Sequence, residues 1–200
     1  MISLNSHLDI INTSFATVCN DDDILTFEGL NKSCELLKKN NSFSACWGTG
    51  LKVETKNNDP FGNITQLKNT KSNFEYNDKI EFLYDIARVG GYDVIFCLQD
   101  KNNFQKIIKF ACQFDCEIFQ SIAMNFMMVL TANFKLINEL YLIRHNHDSR
   151  DITSLRADPY IWFTEKNFSN DLKKFIELFT IEIKNKENLS LDQSEIIIKK

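Results

Sequence analysis

A chain of 200 residues that is 44% hydrophobic and 25% charged has enough apolar material for one full core and is not the composition of a disordered chain. Its net charge of −4, with no basic arm and no Arg cluster, excludes strong electrostatic binding to nucleic-acid backbones. The 17 Phe outnumber 2 Trp and 5 Tyr. Phe fills apolar space without needing a hydrogen-bond partner, so the interior is either a solid core or an apolar hollow.

In chain order, MISLNSHLDIINTSF lacks a basic stretch followed by an unbroken apolar one, so no signal peptide is expected. Residues 4–19 show mixed helical periodicity and predict a first helix. Asp21, Asp22 and Asp23 then precede ILTFEGLNKSCELLKK, where acidic residues suit the positive end of a helix dipole. Leu30, Cys34 and Leu37 recur at helical spacing, and Lys38 and Lys39 close the helix at its negative end. NNSFSACWGTG reads as a bend. KVETKNNDP has the composition of a short strand, while Pro60 after Asp59 suits the first turn of a helix over PFGNITQLKNTKSNF. On that helix Asp59, Asn63 and Gln66 share a face.

The stretch from DKIEF to AMNF predicts helix–turn–helix, broken at Gly90-Gly91, with a short strand DVIFCL as the alternative. MMVLTANFKLINELYLIRH predicts a further helix, and NFSNDLKKFIELFTIEIKNK a last long one with Leu172, Phe175, Ile176 and Phe179 as its stripe. The tail NLSLDQSEIIIKK is weakly patterned. The longest apolar stretch, near Phe126–Phe134, is too short and interrupted to span a bilayer. The expected organisation is an N-terminal helix or extension over 1–20, one domain over 22–185 and a tail over 186–200.

Cys19, Cys34, Cys46, Cys97, Cys112 and Cys116 sit mostly in apolar runs, with no CxxC pair and no zinc-like spacing. They read as buried free thiols of a reducing compartment, Cys112 and Cys116 one helical turn apart. His145, Asn146, His147 and Asp148 form a polar string with no second ligand group, so a solvated loop is expected rather than a metal site.

Asp59-Pro60-Phe61-Gly62-Asn63-Ile64, placed after the WGTG bend, resembles the signature helix of the glycolipid transfer protein family. ILTFEGLNKSCELL resembles that family's opening helix, and IIKFACQFDCEIFQSI its central helix. ELYLIRHNHDSRDITSLRADPY resembles the segment that sets a His ahead of an Ala-x-Pro, and LKKFIELFTIEI stands where the last long helix falls. The resemblance covers roughly residues 22–185. Ile107 stands where the family has its headgroup-stacking Trp, and Phe110 where it has an Arg.

That resemblance implies an all-α, two-layer helical sandwich of about eight helices enclosing an apolar lipid pocket. It implies a non-enzymatic carrier, without cofactor, metal or catalytic residues, that binds one sphingolipid, a glycolipid or ceramide type, and transfers it between membranes. Carried over residue by residue, Asp59, Asn63, Lys109 and His145 hold the headgroup, with His147 the alternative to His145. Trp47 and Trp162 are the expected membrane contacts. The expected protein is cytoplasmic, peripheral to membranes and monomeric, with no nucleic-acid partner. Two other classes are set beside it: a helical interaction or regulatory protein of the immunity type, and a small helical ribonuclease using Arg144 and His147.

Overall fold

A computed structural model describes residues 5–59, 61–70, 78–89, 94–146, 167–187 and 190–199. It is a mixed α/β structure built on a six-stranded sheet, not the all-α sandwich expected. The strands are β1 (Phe15–Ala16), β2 (Asp23–Leu25), β3 (Ala45–Thr55), β4 (Ile64–Thr70), β5 (Leu98–Asp100) and β6 (Phe134–Asn146). The helices are α1 (Phe27–Lys39), α2 (Lys79–Val89), α3 (Lys101–Ala111), α4 (Glu117–Thr131), α5 (Phe168–Glu187) and α6 (Leu191–Lys199).

The centre of the sheet is the parallel pair β3 and β6, running from Ala45 opposite Phe134 to Glu54 opposite Asn146. β2 lies antiparallel on the far side of β6. The other edge of β3 is shared: β5 pairs with its first two residues and β4 with Gly50 to Thr55, both antiparallel, and β1 extends the sheet beyond β5.

Four segments read within expected helices contain strands. Over residues 64–70 the apolar positions Ile64 and Leu67 are exposed, so no helical stripe is buried there, and the backbone pairs with β3 instead. The run expected as one helix from Met127 changes state: α4 ends at Thr131, Ala132 is extended (φ −94, ψ 146), and β6 begins at Phe134. Tyr141 and Leu142 are both buried, on opposite faces of β6. A strand covered on both sides loses its alternation and reads like a buried helix. Residues 94–100 form a 3-10 turn and β5, nearer the alternative of a short strand at DVIFCL, with the second helix of the pair beginning at Lys101 as α3, and the expected helix over 4–19 is a 3-10 turn at Leu8–Ile10 followed by β1.

The helices read from sequence form where their signals are strongest. Thr26 caps α1 by accepting the Gly29 N–H at 3.2 Å, and its hydroxyl donates to the Leu140 carbonyl of β6. Gly29, Ser33 and Leu37 are the buried face, and Lys38 and Lys39 stand in the last turn. In α5 the buried residues are Asp171, Phe175, Phe179, Thr180 and Ile183, while Leu172 of the expected stripe is 39% exposed. The tail expected to be weakly patterned is helical as α6.

Among the described residues the Phe rings pack directly on one another. Phe179 packs on Phe110 at 4.9 Å, on Phe175 at 4.4 Å and on Phe126 at 5.6 Å, joining α3, α4 and α5. Phe114 and Phe119 continue the cluster at 6.0 and 5.6 Å from Phe175. All six cysteines are free; Cys112 caps the end of α3 and Cys116 the start of α4, so they are separated by a loop rather than by one helical turn.

Candidate functional site

The residues that carried the sequence reading divide between two places. Asp59, Asn63 and His145 come together at the C-terminal ends of β3 and β6, where the β3–β4 connection folds back on itself. Thr55 is the link: its hydroxyl donates to the Asp59 carbonyl at 2.6 Å, and the same oxygen lies 3.4 Å from His145 Nε2.

The connection between β3 and β4 is held from within. Lys56 N–H donates to the Asn63 carbonyl at 2.8 Å, and Gly62 N–H to the Asp59 carbonyl at 2.9 Å. The Asp59 carboxylate accepts the Phe61 N–H at 2.9 Å, the local bond by which Asp shapes turns. Asn57 sits in the left-handed region (φ 58, ψ 23), which Asn tolerates better than other side-chain-bearing residues. Asp59 is therefore a turn-forming residue, not the start of a helix, and its carboxylate is engaged by backbone.

This turn presents Phe61, which is 97% exposed. Every residue of β4 from Ile64 to Asn69 is exposed as well, with Ile64 at 63% and Leu67 at 57%. An apolar ring this open on a turn stitched by four main-chain or side-chain bonds is a feature that sequence reasoning passed over. The string Asp-Pro-Phe-Gly-Asn is a turn signal in its own right, and would have placed Phe61 at a tip.

The flank of the hairpin is charged. Glu54 lies 3.0 Å from Lys68 and 3.7 Å from Lys52. Its carboxyl is held below the ordinary glutamate value, first by the hydrogen bond from Lys68 and further by the charges of Lys68 and Lys52. On the neighbouring strands Arg144 pairs with Asp23 at 3.4 Å and lies 5.1 Å above the Phe96 ring.

Lys109 is elsewhere. It lines an open groove between α3 and α5, about 510 Å³ in volume, with Asn102, Gln105, Lys106, Phe110, Gln113 and Glu182. Lys106 is paired with Glu182 at 3.0 Å. The lining is amides and charges with one aromatic edge, not the wall of an acyl tunnel. Trp47, expected at a membrane, is 2% exposed and packs on Tyr141 at 5.2 Å; its position inside β3 at the centre of the sheet buries it. Trp162 and His147 lie outside the described residues.

Among the described residues no group of three or more His, Cys, Asp or Glu is placed to hold a metal ion, and no helix is long and apolar enough to cross a membrane. Comparison with known proteins finds no family whose sequence pattern matches the chain and no curated protein that matches it.

Proposed function

We propose that the chain is a non-enzymatic lipid-binding protein that works at a membrane surface, meeting the bilayer with the tip of its β3–β4 hairpin. The observation that carries this reading is the 97% exposure of Phe61 on a turn whose backbone is fixed by hydrogen bonds. Burying a Phe side chain from water is worth about 1.5–3 kcal/mol, which suits reversible docking rather than permanent anchorage. Residues 51–70 carry Lys52, Lys56 and Lys68 against Glu54 and Asp59, so the hairpin is mildly positive on a chain of net charge −4. Anionic headgroups favour that approach.

The turn also supplies a polar rim. Asp59 and Asn63 are exposed beside Phe61, and His145 stands behind Thr55. A headgroup held there needs no hollow for its chains, which stay in the bilayer. This differs from the carriage that the sequence resemblance implies, which requires a cavity for acyl tails.

Co-sedimentation with vesicles tests the reading. The protein should pellet with phosphatidylcholine vesicles containing phosphatidylserine and less with phosphatidylcholine alone. Phe61→Ser should abolish pelleting without changing the melting temperature, and Phe61→Trp should restore it with a blue-shifted emission on binding. No pelleting with either vesicle would end the proposal. Movement of a labelled sphingolipid from donor to acceptor vesicles, undiminished in Phe61→Ser, would favour carriage instead.

A further inference from the structure

β4 carries one residue more than the stretch of β3 it faces. Gln66 pairs with Glu54 and Ile64 with Thr55, so Thr65 is the extra residue of a β-bulge, and its hydroxyl donates to the Glu54 carbonyl at 3.1 Å. In a regular strand Ile64 and Leu67, three positions apart, would point to opposite faces. The bulge returns them to one.

That face extends over four strands. Directly opposed residues share a face, so the ladder sets Leu67 with Val53, and the adjoining row of Leu51, Ile143 and Ile24, on the side of Ile64. The charged residues of β2, β4, 50–55 of β3 and 142–146 of β6 are Asp23, Lys52, Glu54, Lys68 and Arg144, and the same ladder sets them all on the other side. In a sheet with one wet face the apolar residues ordinarily turn inward. Here the order is reversed. Ile64 is 63% exposed, Ile24 60% and Leu67 57%, whereas Asp23 on the charged side is 7% exposed.

We propose that this uncharged face lies on the bilayer together with Phe61, so that the protein docks by the flat of its sheet and not by the hairpin tip alone. The proposal rests on the membrane reading of Phe61. The two surfaces are continuous, because Ile64 follows Phe61 by three residues and begins the strip. The face offers few polar groups: Asn69, the half-buried His145 and the buried Thr55. Recognition of a protein partner uses placed hydrogen bonds and complementary charges, for which this face has little material. An acyl boundary asks for neither, and the exposed Lys56 beside the tip suits anionic headgroups.

Tryptophan substitution reads the contact position by position. The vesicles are phosphatidylcholine and phosphatidylserine with brominated acyl chains, and each variant is compared with the parent, which supplies the background of Trp47 and Trp162. Ile24→Trp and Leu67→Trp should be quenched on binding, as Phe61→Trp should, while Gln66→Trp, on the charged side, should not. Ile24→Ser and Leu67→Ser should each lower the vesicle partition constant by roughly fivefold, short of the loss expected for Phe61→Ser, and leave the melting temperature unchanged. Quenching of Phe61→Trp without Ile24→Trp and Leu67→Trp would overturn the face-on contact and leave the tip reading standing. Absence of quenching in every variant, Phe61→Trp included, would remove both. Equal quenching of Gln66→Trp would overturn the choice of face. So would emission from Leu67→Trp that is already blue-shifted without lipid, since the face would then be covered by protein.

Discussion

The Asp171 carboxylate, in the first turn of α5, accepts the backbone N–H of Cys116 at 2.6 Å, so one helix supplies the cap of another. The same oxygen accepts the Asp115 N–H at 2.8 Å. Cys116 is the N-cap residue of α4 and its side chain makes no capping bond, so the cap comes from α5. Asp171 is 3% exposed. Asp171→Ala leaves two inward N–H groups without a partner and should cost about 2–3 kcal/mol, with Asp171→Asn costing less because an amide oxygen still accepts. Urea denaturation measures both. A loss below 0.5 kcal/mol, on the order of an ordinary surface substitution, would show that the cap does not contribute.

Gly48 stands where the pairing of β3 with β6 shifts register. A Cβ there would lie 2.5 Å from the Glu139 carbonyl oxygen and 2.6 Å from Tyr141 Cβ. Neither can retreat, since one is backbone and the other belongs to a fully buried ring. Gly48→Ala should therefore force the two central strands apart and cost on the order of 3 kcal/mol, beyond the usual range of overpacking changes only if β6 cannot shift. The melting temperature and the amide exchange of residues 139–142 report it together.

Three groups on the buried side of the sheet resist ionisation. Burial pushes the Cys97 thiol well up, with Cys46 adding to it; burial also raises Cys46 itself and the Tyr141 hydroxyl, which donates to the Phe96 carbonyl at 2.9 Å. All are neutral in the fold and free to ionise once unfolded. Their contribution is complete below the unfolded thiol value of about 8.5 and is lost as pH rises above it, with tyrosine following near 10. Stability should fall steadily from pH 8 toward alkaline pH, and Cys97→Ser should flatten the first part of that fall. In native protein Cys19, which is exposed, should react first with a thiol reagent, while Cys46, Cys97 and Cys116 should react only on unfolding.

The opposite sign applies at Glu54. Its carboxyl is held low by Lys68 and Lys52, so its attachment of β4 to β3 is complete above the ordinary glutamate value of about 4.3 and is lost as pH falls through the lower folded value. Amide exchange in β4 should accelerate on acidification below that point. Glu54→Gln should show the fast exchange already at pH 7, with the global melting temperature little changed because the group is at the surface.

Helices with a cap, a buried stripe and a closing charge were legible in the sequence, as α1 and α5 show. Strands were not. β6 is buried on both sides at Tyr141 and Leu142, which erases the period-two signal. β4 is exposed on both sides, so it carries no buried pattern of either period. The Phe excess was ambiguous between core and hollow, and where it is described the rings contact one another directly. Asp59, Asn63 and His145 stand near one another through a hairpin and a parallel strand, not through a helix face. Lys109 was separated from them because α3 faces α5. Phe61 went unnoticed because a lone exposed aromatic has no periodicity; only the turn around it marks its place.

The pairing of β3 with β6 has a consequence for the order of events during synthesis. Ala45 meets Phe134, so the innermost strand of the sheet is translated long before the strand that completes it. Until the ribosome has passed Asn146, β3 has its hairpin partner but a bare flank, and the hydrophobic residues of that flank are open to solvent. Folding of this chain is thus gated by the arrival of its second half, and stalled or truncated products that stop short of β6 should depend on chaperones in a way the finished protein does not.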